Sequence, residues 1–360
     1  MFKEPIKGFA LLLATFIMTE CDALGASSYP VVKSELVVED GAADGSLTNF
    51  RWLDDHRLIA LVGERPDPTP RGRKRMLQSL KIWDVRSNMV SVLAPPDIDG
   101  LCVADGVIRY LERNTAPDGK ETFEFYSGTE SAIRKVEAGR FSRFNCRLLT
   151  EHPLPAWTQK IPEINIRRLK PEHGFIVIDR DSPTHWPRSV QLYRKGNGQN
   201  EGVDLTPMIG SHAGDGRVAI NLRYYEFKNA YYINSPGSNP ESVWLFPDGK
   251  IESSSDLGRR LISVTGRTGT LSTAIASGKV FGASRVTEEP VGDGGLFFQL
   301  EGDRKPAKRL VKGRIGQEIE VSPDGCKVAY LNDEREYIDP KTPILFHKLQ
   351  VINLCSEKKP

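Results

Sequence analysis

Residues 321–330 read Val321-Ser322-Pro323-Asp324-Gly325-Cys326-Lys327-Val328-Ala329-Tyr330, and this stretch decides the fold. Pro323 presets the backbone angle of a tight turn. Asp324 caps that turn through its own side chain, and Gly325 takes the left-handed position. The run Lys327-Val328-Ala329-Tyr330 then starts a strand. A looser form of the same turn-then-strand unit stands near the other end, from Phe50 to Ala60 (FRWLDDHRLIA).

Between these two stretches helical periodicity is nearly absent. Short alternating or apolar runs recur instead, separated by turn residues: RLIALV (57–62), LKIWDV (80–85), VIRYLE (107–112), TFEFYS (122–127), GFIVID (174–179), SVQLYR (189–194), RVAINLRYY (217–225), SVWLF (242–246), KVFGASRV (279–286), LFFQLE (296–301), KVAYLN (327–332) and KLQVINL (348–354). This is the pattern of an all-β protein. The runs come in pairs joined by charged or Pro/Gly-rich loops, giving a unit of about fifty residues. That period points to a β-propeller rather than a two-sheet sandwich. Six blades are expected, near 46–93, 94–138, 139–205, 206–250, 251–312 and 313–355. Seven is the alternative, because the third unit is long enough to hold extra strands. Val31 to Glu39 (VVKSELVVE) has strand character and no partner of its own, so it is expected to complete the last blade. That closure removes two free sheet edges.

The stretch at 321–330 resembles the repeat of TolB-like, WD40-like (PD40) propellers, and the unit at 50–60 is similar to it. Both also resemble the propeller that precedes the hydrolase in prolyl-oligopeptidase-type proteins. The resemblance implies an exported propeller, and likeness to TolB implies an accessory subunit of an envelope complex. No G-x-S-x-G elbow is present, so peptidase activity does not carry over. No P-loop, strand-linked G-x-G-x-x-G or H-E-x-x-H motif occurs, and no cofactor is expected.

The N-terminus differs from the rest. Lys3 and Lys7 precede the apolar run GFALLLATFIMT (8–19), and Ala23-Leu24-Gly25 offers small residues at the two positions a signal peptidase reads. This is the tripartite pattern of a secretory signal, expected to be cleaved near Gly25 or Ala26, leaving residues 26–360 as one propeller domain. The run is shorter than the roughly 20 residues a membrane-spanning helix needs. Glu20 before Cys21 does not fit the small residue that lipidation requires. The chain of 360 residues has a formal charge of +2. The segment 1–25 holds two lysines and three carboxylates, so its removal leaves about +3. That near-neutral balance, like export, argues against nucleic acid as a partner. The expected location is periplasmic or secreted, without integral membrane segments.

Four cysteines remain after cleavage, an even count in an exported chain. Cys326 opens one strand run and Cys355 closes the next, which places them side by side in adjacent antiparallel strands. Cys326–Cys355 is therefore the first expected disulfide. Cys102 and Cys146 each flank the start of a strand and form the second. The alternative is four small buried apolar side chains. No Cys/His spacing suggests a metal site.

Candidate ligand contacts lie on loops, where a rigid propeller normally carries them. The third unit holds His152, Trp157, Asp181, His185 and Trp186, and the first holds Arg51. Packing and turn capping are the competing roles for all of them. Arg65 to Arg75 is a basic, Pro-rich loop that could meet an anionic surface. Asp40 to Gly45 reads as a turn, lacking the ligands of a calcium loop. Tyr224, Tyr225, Tyr231 and Tyr232 read as filling between blades rather than as a contact surface. The function expected is binding or scaffolding of an envelope protein or glycan. The alternative is a hydrolase or lyase with a pocket at the channel mouth built from Arg51, His152, Asp181 and His185.

Overall fold

The computed structural model describes residues 29–38, 49–63, 78–137, 141–142, 147–148, 154–162, 165–179, 188–194, 202–209, 221–234, 242–253, 271–283, 294–302, 307–313, 315–339 and 342–355. They form six four-stranded antiparallel sheets and one two-stranded pair. Each of the first five sheets is a meander of four consecutive strands, and the sixth recruits its fourth strand from the N-terminal end. The architecture is a six-bladed β-propeller.

The blades span 50–94, 98–136, 166–204, 221–253, 271–312 and 315–353. The long third unit holds no further blade among the described residues. Its extra content is the two-residue pair Phe141–Ser142 with Arg147–Leu148 and a short 3-10 turn, Ala156–Lys160. The one α-helix among the described residues is the single turn Thr206–Ile209. No helix among them is long and apolar enough to cross a membrane.

Propeller blades are stable only in company, because each presents two apolar faces. Here those faces meet in four clusters that span blade boundaries. Leu58, Ala60 and Trp83 of blade 1 pack with Ala329, Leu331 and Val351 of blade 6. Ile59 and Ile82 of blade 1 pack with Ile98 and Ile108 of blade 2. Ile176 and Val190 of blade 3 pack with Tyr231 and Ile233 of blade 4. A larger cluster joins Tyr232 and Trp244 of blade 4 to Val280 and Phe298 of blade 5 and Tyr330 of blade 6. Strand alternation makes this possible, since Ile59 and Leu61 leave one face of their strand and Leu58 and Ala60 the other. Burying one such side chain contributes roughly 1.5–3 kcal/mol.

Val31–Val37 lies antiparallel to Thr342–Asn353, with Val31 opposite Ile352 and Val32 opposite Val351. The two ends of the chain thus share one sheet. Cys326 and Cys355 close that blade with a disulfide across a Cα separation of 5.1 Å. They flank the long hairpin of Lys327–Asp339 and Thr342–Asn353, whose register puts Lys327 opposite Asn353. Cys102 is also disulfide-bonded; Cys146 lies outside the described residues.

The turn at 322–327 follows its sequence. Asp324 Oδ1 accepts from the Cys326 N–H at 2.9 Å and from the Ser322 hydroxyl at 2.5 Å, and Oδ2 meets Lys327 Nζ at 2.9 Å. Gly325 has φ +74°. A Cβ there would lie 2.7 Å from the Phe227 ring of blade 4 and 2.9 Å from Ala276 Cβ of blade 5, so glycine is required twice over. The turn of blade 1 repeats the device: Asp54 caps the His56 and Arg57 N–H groups and pairs with Arg57 at 2.6 Å. Asp55 beside it accepts from the Asp324 N–H at 2.8 Å, linking the two turns.

Candidate functional site

Each blade begins with a strand of three to seven residues. In blades 1, 2, 3, 4 and 6 these strands converge on a single cavity of about 370 Å³, the central channel. Arg51, Arg168, Arg223 and Glu320 reach it from four of them.

Glu320 is the hub. Its side chain is only 5 % exposed, and it is ion-paired with Arg51 through one carboxylate oxygen and with Arg223 through the other. Arg223 also donates to the Ile319 carbonyl at 3.2 Å, and Trp52 Nε1 donates to the Glu320 carbonyl at 3.2 Å. Burial works against the Arg223 charge, but Glu320 and its neighbours more than offset this and raise its pKa above the ordinary arginine value. The two arginine side chains remain about one-third exposed, at 32 % and 29 %, and both line the channel.

A second node has the opposite polarity. Lys170 Nζ lies 3.8 Å from Asp105 of blade 2 and 3.9 Å from Glu226 of blade 4, and sits 4.1 Å from the Tyr224 ring centroid. Burial first, then the nearby carboxylates Glu226, Glu172 and Asp105, raise the Tyr224 hydroxyl pKa. The Lys170 N–H donates to Tyr231 Oη at 2.8 Å, and Tyr231 Oη lies 2.8 Å from His173 Nδ1. These bonds pin the 170–174 turn of blade 3 to blade 4. Donors and acceptors thus alternate around the mouth, an arrangement suited to holding a polar ligand.

Of the residues singled out from sequence, Arg51 lies in this channel. Trp157 sits elsewhere, packed against blade 3 with its ring 4.9 Å from that of Tyr193 and 6.0 Å from that of Phe175. His152, Asp181, His185 and Trp186 fall outside the described residues, as do the basic loop 65–75 and the turn 40–45. Tyr225, Tyr231 and Tyr232 are buried between blades. Among the described residues no group of three or more His, Cys, Asp or Glu side chains could hold a metal ion.

The sequence reading missed Glu320, Arg223, Arg168 and Lys170. A signal for Glu320 was present. Trp52 pairs with Leu58 and Val321 with Val328 at the closing ends of equivalent hairpins, so Arg51 and Glu320 occupy the same place in their blades. Opposite charges at one repeat position that faces the axis would have drawn attention to the pair. Nothing local marks Arg223.

The chain matches no protein-family model and no curated protein. Solved structures similar to it include propeller domains. The β-propeller domain of the Trilobed protease from Pyrococcus furiosus is 9 % identical, with TM-score 0.47, over 87 % of this chain and 99 % of that one. An acylaminoacyl peptidase from Pyrococcus horikoshii is 11 % identical, with TM-score 0.45, over 84 % of this chain. This chain spans about half of that peptidase, 51 %. The Cps50 (Swd1) β-propeller domain of Myceliophteria thermophila is 11 % identical, with TM-score 0.40, over 84 % of this chain and 98 % of that one.

Proposed function

We propose that this chain is an exported binding propeller of the TolB-like kind, working in the periplasm or outside the cell. Its central channel takes an anionic group carried by an envelope protein or glycan. The observation that carries this reading is the pair Arg51 and Arg223. Both are fixed by Glu320, both line the channel, and each side chain stays about one-third exposed. Guanidinium groups held in place in this way bind carboxylate or phosphate at low entropic cost. The Cys326–Cys355 bond fits an oxidising compartment.

Capture from envelope extract tests it. Immobilised protein is compared with Arg51→Gln, after treating extract with protease or with glycosidase. The reading expects a reproducible partner whose recovery falls at least tenfold in the variant and after one of the two treatments. Equal recovery by both proteins would remove the channel from the proposal. Fractionation that left the full-length chain in the cytoplasm would remove export.

A further inference from the structure

Blades 4 and 5 enclose a second cavity, of about 300 Å³, at the hairpin end of their shared groove. Its size lies at the lower end of small-molecule sites. Phe227, Tyr232 and Trp244 of blade 4 form one wall, and Ala274, Ile275 and Ala276 of blade 5 the other. The rings are set edge to face or tilted: Tyr232 and Trp244 centroids are 4.9 Å apart and Phe227 and Trp244 centroids 6.3 Å apart.

Into this apolar groove the fold directs a lysine. Lys279 lies on the Gly278–Ala283 strand, whose alternation turns Gly282 toward Ile315 and Ile319 of blade 6 and Lys279 toward blade 4. Lys279 is 1 % exposed. Its ammonium lies 5.4 Å from the ring centroids of both Tyr232 and Phe281. Buried Gln299 stands opposite it in the ladder. At the rim, Lys228 Nζ lies 4.9 Å from the Trp244 ring centroid and 3.6 Å from Glu252. Glu301 is the cavity's acidic lining residue. Lys279 and Lys228 thus set positive charge beside an aromatic wall, a setting that suits a ligand combining a ring with an anionic group.

We propose that this cavity is a binding site for a small aromatic monocarboxylate, its ring against Phe227 and Trp244 and its carboxylate on Lys279 and Lys228. A single negative charge suits a site whose rim also holds Glu301. The site is separate from the central channel and does not depend on how the channel is used.

Benzoate is the probe, with benzyl alcohol as the neutral control, and binding is read by calorimetry and ligand-observed NMR. Benzoate is expected to bind the wild-type protein in the millimolar range or tighter. The affinity should fall at least tenfold in Lys279→Met and rise about twofold in Glu301→Gln. Burial pushes the Lys279 amine down to about 8, so wild-type affinity should also decline as pH rises past that value. No benzoate binding up to about 20 mM, equal binding of benzyl alcohol, or unchanged affinity in Lys279→Met would overturn the proposal. Should Lys279→Met fail to fold, an unchanged or weakened Glu301→Gln would overturn it instead.

Discussion

Arg223 and Glu320 are bonded across the central channel although the whole of blade 5 separates them in the chain. Arg51 reaches the same carboxylate from the opposite direction in sequence. One buried acid thus ties blade 1 and blade 4 to blade 6, and the ring is locked at its axis as well as at its rim. Glu320→Gln should weaken both ion pairs at once. The arginines are partly solvated, which moderates the loss to roughly 1–3 kcal/mol. Removing both arginines while leaving Glu320 buried should cost more than Glu320→Gln. Urea unfolding of the single, double and triple variants gives the coupling directly. Losses that simply add from the single to the triple variant would mean that Glu320 is not the hub.

Gly325 offers a sharper test of how the blades meet. At Gly119 the backbone is also left-handed, with φ +82°, but no atom lies within 4 Å of an added Cβ. Alanine there should cost about 1 kcal/mol, the backbone penalty alone. At Gly325 the same methyl group meets Phe227 and Ala276 on two neighbouring blades. Gly325→Ala should therefore cost about 2–4 kcal/mol, adding overpacking to the backbone term. Equal losses at the two positions would show that Phe227 and Ala276 yield freely.

The turns also set the behaviour in acid. Burial alone would raise the Asp324 carboxyl, but the Ser322 hydroxyl, Lys327 and the Cys326 N–H hold it below its ordinary value. Burial would raise Asp54 too, but the His56 N–H and the Arg57 guanidinium and N–H hold it down. A carboxylate whose folded pKa is depressed stabilises the fold above its unfolded pKa, and that stabilisation is lost as pH falls through the folded one. The wild-type protein should lose stability as pH drops below about 4. Asp324→Asn should be less stable near pH 7 and flatter across the acid range. Parallel acid profiles for the two proteins would contradict the capping role.

The fold was legible because propeller repeats write themselves locally. A turn such as Ser322-Pro323-Asp324-Gly325 uses neighbouring residues only, and strand alternation follows from period two. Three of the six units, the first, second and sixth, lay within four residues of their observed limits at both ends. The third was too ambiguous to exclude a seventh blade, since its loops exceed its strands. The channel was less legible. Arg51 was visible as a charged residue beside a turn, but its partner lies 269 residues away. Contacts between inner strands depend on how many blades intervene, and no local pattern encodes that. Lys279 was hidden for a related reason. In KVFGASRV it looks like the polar edge of a strand, and only the packing of blade 4 against it shows that it is inside.

The disulfide at 326–355 closes a loop of 29 residues around the blade that holds both chain ends. Chain-entropy arguments give such a crosslink roughly 3–4 kcal/mol. The double variant Cys326→Ser, Cys355→Ser should lose about this much in urea unfolding, and oxidised wild-type protein should show no reactive thiol at either site. The shared sheet should in addition open more easily than the rest, seen as faster amide exchange in Val31–Val37 and Thr342–Asn353 than in blade 3. Uniform acceleration in every blade would mean that the bond acts on the unfolded chain alone.

Lys279 gives a prediction of opposite sign to the acid one. Burial favours its neutral amine, and its folded pKa of about 8 lies below the ordinary lysine value of 10.5. Between these two values the unfolded chain binds more protons than the folded one, so stability rises with pH there. The variant Lys279→Met has no such group. It should be more stable than wild type near pH 7, where an ammonium is held in an apolar groove. Its advantage should shrink as pH approaches 10, by up to about 2–3 kcal/mol. Burial holds the buried tyrosine hydroxyls above their ordinary value of 10, equally in both proteins, so they cancel in the difference. Urea midpoints of the two proteins at intervals from pH 7 to about 10 measure it. If the gap between them stays constant, the Lys279 amine does not lose its proton in the folded protein over that range, and the groove is more polar than its lining suggests.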